Sequence, residues 1–343
     1  MSEGWKEPLK ADPTEWLLEP DPDNPGVRYF ALTDLLECTQ DDPRVVAAKR
    51  AIMEAGPVPA ILAQQHDDGY WVKPGPGYNP KYRSSVWSLI LLAQLGADGD
   101  DPRVRAGCDY LLDNSPAKNG AFSMQGTPSS AILCLGGNLG AALLALGWLG
   151  DERLEEGLDW LARAITGDGF GPKGGEERFH YLKSGTSGPG FLCSGNNRMP
   201  CAWGAVKAML AFGKLPPDAR TPAIRAAVEN GIGFLLSRDP AAADYPAGWS
   251  DKPSRSWFKF GFPVFYVTDV LQNLEALTAL GVGPDPRLDA AVELVLSKQD
   301  AQGRWKMEYT YKGKTFADIE EKGQPSKWVT LRALRVLKAL RGP

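Results

Sequence analysis

Two kinds of turn alternate along this chain, one opening helices and one closing them, and few folds can accommodate that alternation. The opening turns are Asp41-Asp42-Pro43-Arg44, Asp100-Asp101-Pro102-Arg103, Asp151-Glu152-Arg153 and Pro284-Asp285-Pro286-Arg287. Aspartate before proline is an N-cap followed by the residue best suited to the first helical position. The closing turns are clearest at Gln65-His66-Asp67-Asp68-Gly69-Tyr70-Trp71 and Gln299-Asp300-Ala301-Gln302-Gly303-Arg304-Trp305. Weaker versions stand at Gly167-Asp168-Gly169-Phe170 and Pro246-Ala247-Gly248-Trp249. In each, glycine permits a left-handed turn and the aromatic packs back on the helix pair.

A loop and a more apolar helix follow every closing turn. The pattern predicts six inner helices near 27–38, 84–96, 132–148, 201–213, 265–280 and 326–341, and five outer helices near 43–64, 101–113, 151–166, 221–237 and 285–298. Two-helix units cannot cover their apolar faces alone and must stack, and six inner helices predict a ring that closes on itself. No alternation of period two is long enough to compete. The 38 glycines and 28 prolines fall between the periodic segments and punctuate them. The expected fold is therefore all-α, an α/α toroid of about six inner and five to six outer helices. It forms one domain over 1–343, with residues 1–26 packing on its outside.

The Gln-x3-Gly-x-Trp spacing at Gln65–Trp71 and Gln299–Trp305 is similar to the signature of the terpene cyclase and protein prenyltransferase superfamily. The chain resembles a small member of that α/α-toroid group over nearly its whole length. The resemblance implies the toroid, and it implies that the mouth of such a ring can hold zinc. It does not extend to the zinc ligands of the prenyltransferases, because no Asp-x-Cys arrangement matches them here.

Inner-to-outer turns are short, whereas the outer-to-inner loops, near 72–82, 114–130, 167–200, 238–264 and 302–325, are long. All loops of one kind lie on one face of such a ring, and long loops on a rigid scaffold tend to carry function. The long-loop mouth is therefore the expected site. Aromatics cluster there. Tyr29, Trp71, Trp87, Phe265 and Trp328 are candidates to line an apolar pocket, with Asn138 to orient a ligand. Lys207 and Arg332 are lesser candidates. Asp269 and Asp34, placed inside apolar inner helices, are candidate acid–base groups, and Tyr266 stands beside Asp269 as a third.

Cys134 and Cys201 lie at nearly the same height on neighbouring inner helices, thirteen residues before Gly147 and twelve before Gly213. Cys193 and His180 sit on the loop between them. Three thiols and one imidazole suit tetrahedral zinc, so Cys134, His180, Cys193 and Cys201 form the candidate ligand set, with water or Asp168 as alternatives to His180. Cys38 and Cys108 read as packing residues, and His66 as solvated.

Two tempting motifs are set aside. Asp98-Gly99-Asp100-Asp101 matches the cyclase acid Asp-x-Asp-Asp literally, but it occupies an inter-repeat turn where aspartate caps a helix. Gly185-x2-Gly188-x-Gly190 lacks the strand and helix of a dinucleotide site. A net charge of −4 excludes a basic nucleic-acid surface, and the apolar runs are too interrupted for a membrane span. Five cysteines make no disulfide framework, which with the charged start Met1-Ser2-Glu3-Gly4-Trp5-Lys6 favours the cytoplasm. Oligomeric state is not readable.

The expected function is zinc-dependent Lewis-acid or acid–base chemistry of lyase, hydrolase or isomerase type. Its substrate is a small hydrophobic molecule, isoprenoid-like or aromatic, in a central cavity. The alternatives are a binding protein with a structural zinc, and a metal-free cyclase or isomerase using a cavity aspartate.

Overall fold

A computed structural model describes residues 4–172, 179–181 and 187–342, and at 171–172 and 179–181 the backbone alone. Thirteen α-helices follow one another along the described chain: α1 (Thr14–Leu18), α2 (Pro25–Phe30), α3 (Pro43–Glu54), α4 (Pro57–Leu62), α5 (Ser85–Leu95), α6 (Pro102–Asn114), α7 (Leu133–Ala145), α8 (Glu152–Thr166), α9 (Ala202–Gly213), α10 (Pro222–Leu235), α11 (Val270–Ala279), α12 (Asp289–Ser297) and α13 (Lys327–Arg341). They build an α/α toroid. Helices α2, α5, α7, α9, α11 and α13 form the inner ring, and α3 with α4, α6, α8, α10 and α12 surround it. Inner helices such as α5 and α7 are buried almost all round, whereas outer helices such as α8 bury one stripe.

The four opening turns act as their sequence predicts. Asp42, Asp101, Asp151 and Asp285 each accept a hydrogen bond from the backbone N–H two residues on, at 2.8–2.9 Å. In each case that arginine also folds its guanidinium back onto the capping carboxylate.

The closing turns share one geometry. The indole of Trp71 donates to the carbonyl of Ile61, and that of Trp305 to Val295, each ten residues earlier on the outer helix. Gln65 and Gln299 hold the turn by donating to Gly69 and Gly303. In the repeat of α10 this place is taken by Tyr245, whose hydroxyl donates to Leu235 at 2.7 Å. The sequence pattern points instead to Trp249, which is 74% exposed and does not pack on the helix pair.

The ring closes between α13 and α2. Trp328 donates its indole to Asn24, 304 residues earlier, and the guanidinium of Arg335 lies 4.5 Å over the ring of Phe30. Gly26 permits the close approach, since a Cβ there would fall 2.9 Å from the Trp328 ring and, on the other side, 2.3 Å from the Leu95 carbonyl oxygen of α5. Among the described residues α13 is the last helix. The N-terminal segment with α1 lies against it, burying Trp5 and donating from the Lys10 backbone to Gln299.

Four helix boundaries differ from expectation. The first inner helix, expected over 27–38, is α-helical only to Phe30 and runs on as a π-helical turn, Ala31–Leu35. The first outer helix breaks at Gly56, whose φ of 72° no helix accommodates, and Pro57 starts α4. A short 3-10 turn, Pro286–Leu288, precedes α12. Helix α11 begins at Val270 instead of 265, because Asp269 is its cap. Three two-stranded ladders, β1 (Phe170–Pro172) with β2 (Phe179–Tyr181), β3 (Leu192–Cys193) with β4 (Met199–Pro200), and β5 (Trp305–Lys306) with β6 (Pro325–Ser326), stiffen the long loops.

Candidate functional site

The segment 260–268, expected in part to be helix, crosses the inside of the ring. Pro263 lacks the N–H that a helix needs and biases Phe262 away from helical geometry. Phe262 stacks on Trp328 of α13, with ring centroids 4.3 Å apart and planes 2° from parallel. Gln94 of α5 clamps Val264, accepting from its N–H at 2.9 Å and donating to its carbonyl at 2.7 Å. Asn138 of α7 donates to the Phe265 carbonyl at 3.4 Å. Gly261 runs against Tyr309, whose oxygen would lie 2.2 Å from any Cβ. This strap divides the lumen in two.

Above the strap, at the long-loop end, the aromatics pack on one another. Tyr78, Tyr82, Trp87, Phe265, Tyr266 and Tyr311 form a chain of ring contacts 4.7–6.2 Å between centroids. Trp87 and Phe265 are fully buried, with the Trp87 indole on the Tyr78 carbonyl. Tyr266 is held far above the usual phenol range by burial and by the neighbouring Tyr78 phenol, with which its hydroxyl is in contact. Trp71 is committed to its turn, and Tyr29 faces Gln40 across the first opening turn. The expected mouth is thus a plug of side chains.

The open space lies below the strap, at the C-terminal ends of α5, α7 and α9. It is a cavity of about 430 Å³. Its lining mixes apolar groups, Phe30, Ile90, Ala141, Ala142, Leu210 and the stacked pair Phe262 and Trp328, with Asp34, Gln94, Lys214, Gln272, Glu275, Arg332 and Arg335, and has Asn138 at the floor. The two kinds interleave: Ile90 and Gln94, Leu210 and Lys214, and Trp328 and Arg332 each stand four residues apart along one helix. Exposure rises toward Asp34, Ala145 and Lys214, which marks the opening on the short-turn face. Of the sequence candidates, Asp34, Asn138 and Trp328 line this cavity, together with Arg332.

Asp269 is not a free acid. It caps α11, accepting from the Gln272 N–H at 2.6 Å, and it pairs with both terminal nitrogens of the fully buried Arg332 at 3.0 and 3.1 Å. Arg332 also binds Glu275 at 2.9 and 2.7 Å and the Gly261 carbonyl at 2.7 Å, tying α13 to α11 and to the strap. Burial alone would lower its pKa, but the Asp269 and Glu275 carboxylates outweigh that and hold it protonated. Asp34 accepts from Thr33 and pairs with Arg335 across the ring closure.

Behind the cavity floor lies Lys207 of α9, with no exposed surface. Its amine donates to Gln272, which lines the cavity, and makes no ion pair. Burial lowers its pKa to about 7, against the pull of Asp269. Lys214, at the end of the same helix, meets solvent at the cavity mouth although protein surrounds most of it. Burial, and then the charge of Arg335, lower its pKa. Sequence reading singled out neither lysine as an acid–base group. An isolated lysine in an otherwise apolar run, as in Trp203-Gly204-Ala205-Val206-Lys207-Ala208-Met209, was the available signal.

Cys134, Cys193 and Cys201 do meet. Cys201, at the start of α9, stands between the other two and shares thiol contacts with both. The Cys134 contact and burial raise its pKa to about 12, and Cys193 is raised by its contact with Cys201 and by burial. They line a small pocket of about 200 Å³ with Ser187 and Met124, which shares no residue with the central cavity. His180 falls in β2, and its side chain lies outside the described residues. Among the described residues no three or more His, Cys, Asp or Glu side chains are gathered to hold an ion. The three thiols account for three positions of the expected tetrahedral set, and the fourth, His180, lies outside the described residues. Cys108 is buried, Cys38 accepts from Arg44, and His66 is exposed and stacked on Tyr70 at 4.5 Å. No described helix is long and apolar enough to cross a membrane.

No protein-family model and no curated protein matches the chain. Among solved structures it is similar to a protein from Actinoplanes, at 15% identity over 92% of this chain and 89% of that one, with a TM-score of 0.42. It is also similar to an unsaturated glucuronyl hydrolase specific for heparin, at 14% identity over 96% and 86%, with a TM-score of 0.44. A type II terpene cyclase from Scytonema follows at 13% identity over 82% and 95%, with a TM-score of 0.29.

Proposed function

We propose that this protein is an enzyme that admits a small amphipathic molecule from the short-turn face and performs acid–base chemistry on it in the central cavity. The observation that carries this reading is the mixed lining, in which apolar and charged side chains share one cavity, with a buried lysine whose pKa is lowered to about 7 behind the floor. Such a lysine exists in both protonation states at neutral pH, which is what proton transfer requires. Lys207 is the group assigned to it, reached when the Gln272 side chain that covers its amine turns aside, with Asn138 and Gln94 positioned to orient polar atoms. Lyase and isomerase chemistry need no more than this.

The test is a search for co-purified or bound small molecules by native mass spectrometry, followed by turnover assays on what is found. Ala141→Trp fills the cavity and is expected to abolish binding with the fold intact. Lys207→Met is expected to abolish turnover and retain binding. If Lys207→Met turns over the ligand as fast as wild type, the acid–base assignment fails.

A sequestering protein is the second reading. It is favoured by the fact that both lining carboxylates, Asp34 and Glu275, are committed to arginines. It predicts a bound ligand recovered chemically unchanged after long incubation.

A further inference from the structure

The charges around the cavity are unevenly placed. Arg332 with Asp269 and Glu275 carries one net negative charge, whereas the rim, Lys214 and Arg335 against Asp34, carries one net positive charge. Asp269 and Glu275 both serve Arg332, and Asp34 serves Arg335. Lys207 is sealed behind Gln272, which leaves Lys214 at the mouth with no hydrogen bond or ion pair. Its charged neighbours are Arg335, Asp34 and Glu275. Arg335 is itself incompletely used: it gives Asp34 one terminal nitrogen, and its Nε is buried without a partner. Two cations therefore crowd one rim of a concave site with one carboxylate between them.

We infer that this rim is the receptor for a single monoanionic group of the carboxylate class, carried on an apolar body, and that Lys214 and Arg335 hold it. The inference deepens the reading of the cavity as a ligand site and rests on it. A monoanion matches the surplus of one positive charge, whereas a dianionic phosphate would place an uncompensated charge beside Asp34 and Glu275. The apolar body is required as well. The carbonyl ends of α5, α7 and α9 face the same mouth and disfavour a bare anion, so the ligand must also bury surface on Phe30, Ala141 and Leu210.

Isothermal titration of the full chain with octanoate, 1-octanol and octylammonium tests this. Octanoate is expected to bind about tenfold or more tightly than the alcohol, and octylammonium weakest. Lys214→Gln and Arg335→Gln each remove the preference for octanoate and leave the affinity for octanol unchanged, while Ala141→Trp removes both. Should Arg335→Gln fail to fold, Lys214→Gln decides alone, because Lys214 has no partner to lose. Equal affinity for the three probes, or preference for the ammonium, overturns the anion receptor and leaves the cavity as a ligand site. Acetate binding as well as octanoate overturns the need for an apolar body. No binding of any probe overturns the anion receptor, and binding that Ala141→Trp leaves unaffected overturns the cavity reading itself.

Discussion

Replacing Lys207 by Met is the most informative single change, because the cost of burying that amine is written into its titration. Free lysine titrates at 10.5 and Lys207 at about 7. The native state thus gives up this proton first, and between those two values the unfolded chain binds more protons. Stability then rises with pH through that window and is flat below it, where the penalty is complete. At about 1.4 kcal/mol per pKa unit the whole penalty is about 5 kcal/mol, of which about 2 kcal/mol is recovered between about pH 7 and about pH 9. Methionine fills the same space without a charge to desolvate, and substitutions of this kind for buried ions often stabilise. The variant is therefore expected to be several kcal/mol more stable than wild type near pH 7, with the advantage shrinking as pH rises. Denaturant unfolding of both proteins across that range at fixed ionic strength measures it. The raised thiols and phenols are common to both proteins and cancel in the difference. A stability difference that stays constant from pH 7 to 9 would refute the argument, since it would mean that Lys207 is charged and well paired in the folded state.

Arg332→Met strands Asp269 and Glu275 together, and breaking a buried pair in this way costs about 3–5 kcal/mol. A large drop in melting temperature is expected, partly recovered by adding Asp269→Asn. Gly137→Ala places a methyl 2.3 Å from the backbone of Lys207 and forces α7 from α9, so it is expected to destabilise. Gly283→Ala, with nothing within 4 Å, stays within about 0.5 kcal/mol of wild type and is the control. Oxidation by glutathione disulfide is expected to join Cys193 to Cys201, the β3 thiol to its contact on α9. Peptide mapping that finds only Cys134 cross-linked would show that the order of the thiols is different.

Much of the toroid was legible because its signals are local. A capping aspartate before proline and an aromatic after glycine report on the next few residues only, and five repeats of the same grammar leave one architecture. Boundaries slipped where a second local signal had been overlooked, as at Gly56 and at Asp269, which reads as a buried acid inside an apolar helix until Pro263 is given its weight. The thiol row was legible too, through the common register of Cys134 and Cys201. The location of the open space was not. It depends on where the strap 260–268 crosses, which is set by contacts with Trp328, Gln94 and Asn138 on three different helices. No window of sequence contains those contacts, and the mouth rich in aromatics turned out to be the filled one. Asp34 was singled out for a burial cost that it does not bear, since it is exposed at the mouth, and its pairing depends on Arg335, some three hundred residues away.

The seam between α13 and α2 has a consequence for how the molecule is made. Trp328 meets Asn24 and Lys338 reaches the carbonyls of Asp34 and Leu35 across more than three hundred residues of chain. Every other neighbouring pair in the inner ring is joined through one outer helix and its loops, so an arc can grow by adding hairpins in order. The last pairing is different, since it brings together two ends whose separation spans the arc. Until it forms, the apolar flanks of α2 and α13 lie open like the two lips of a split washer. Folding of this chain is therefore expected to pause as a nearly complete crescent, sticky at both tips, whose lifetime at a given protein concentration sets whether it closes on itself or on a neighbour.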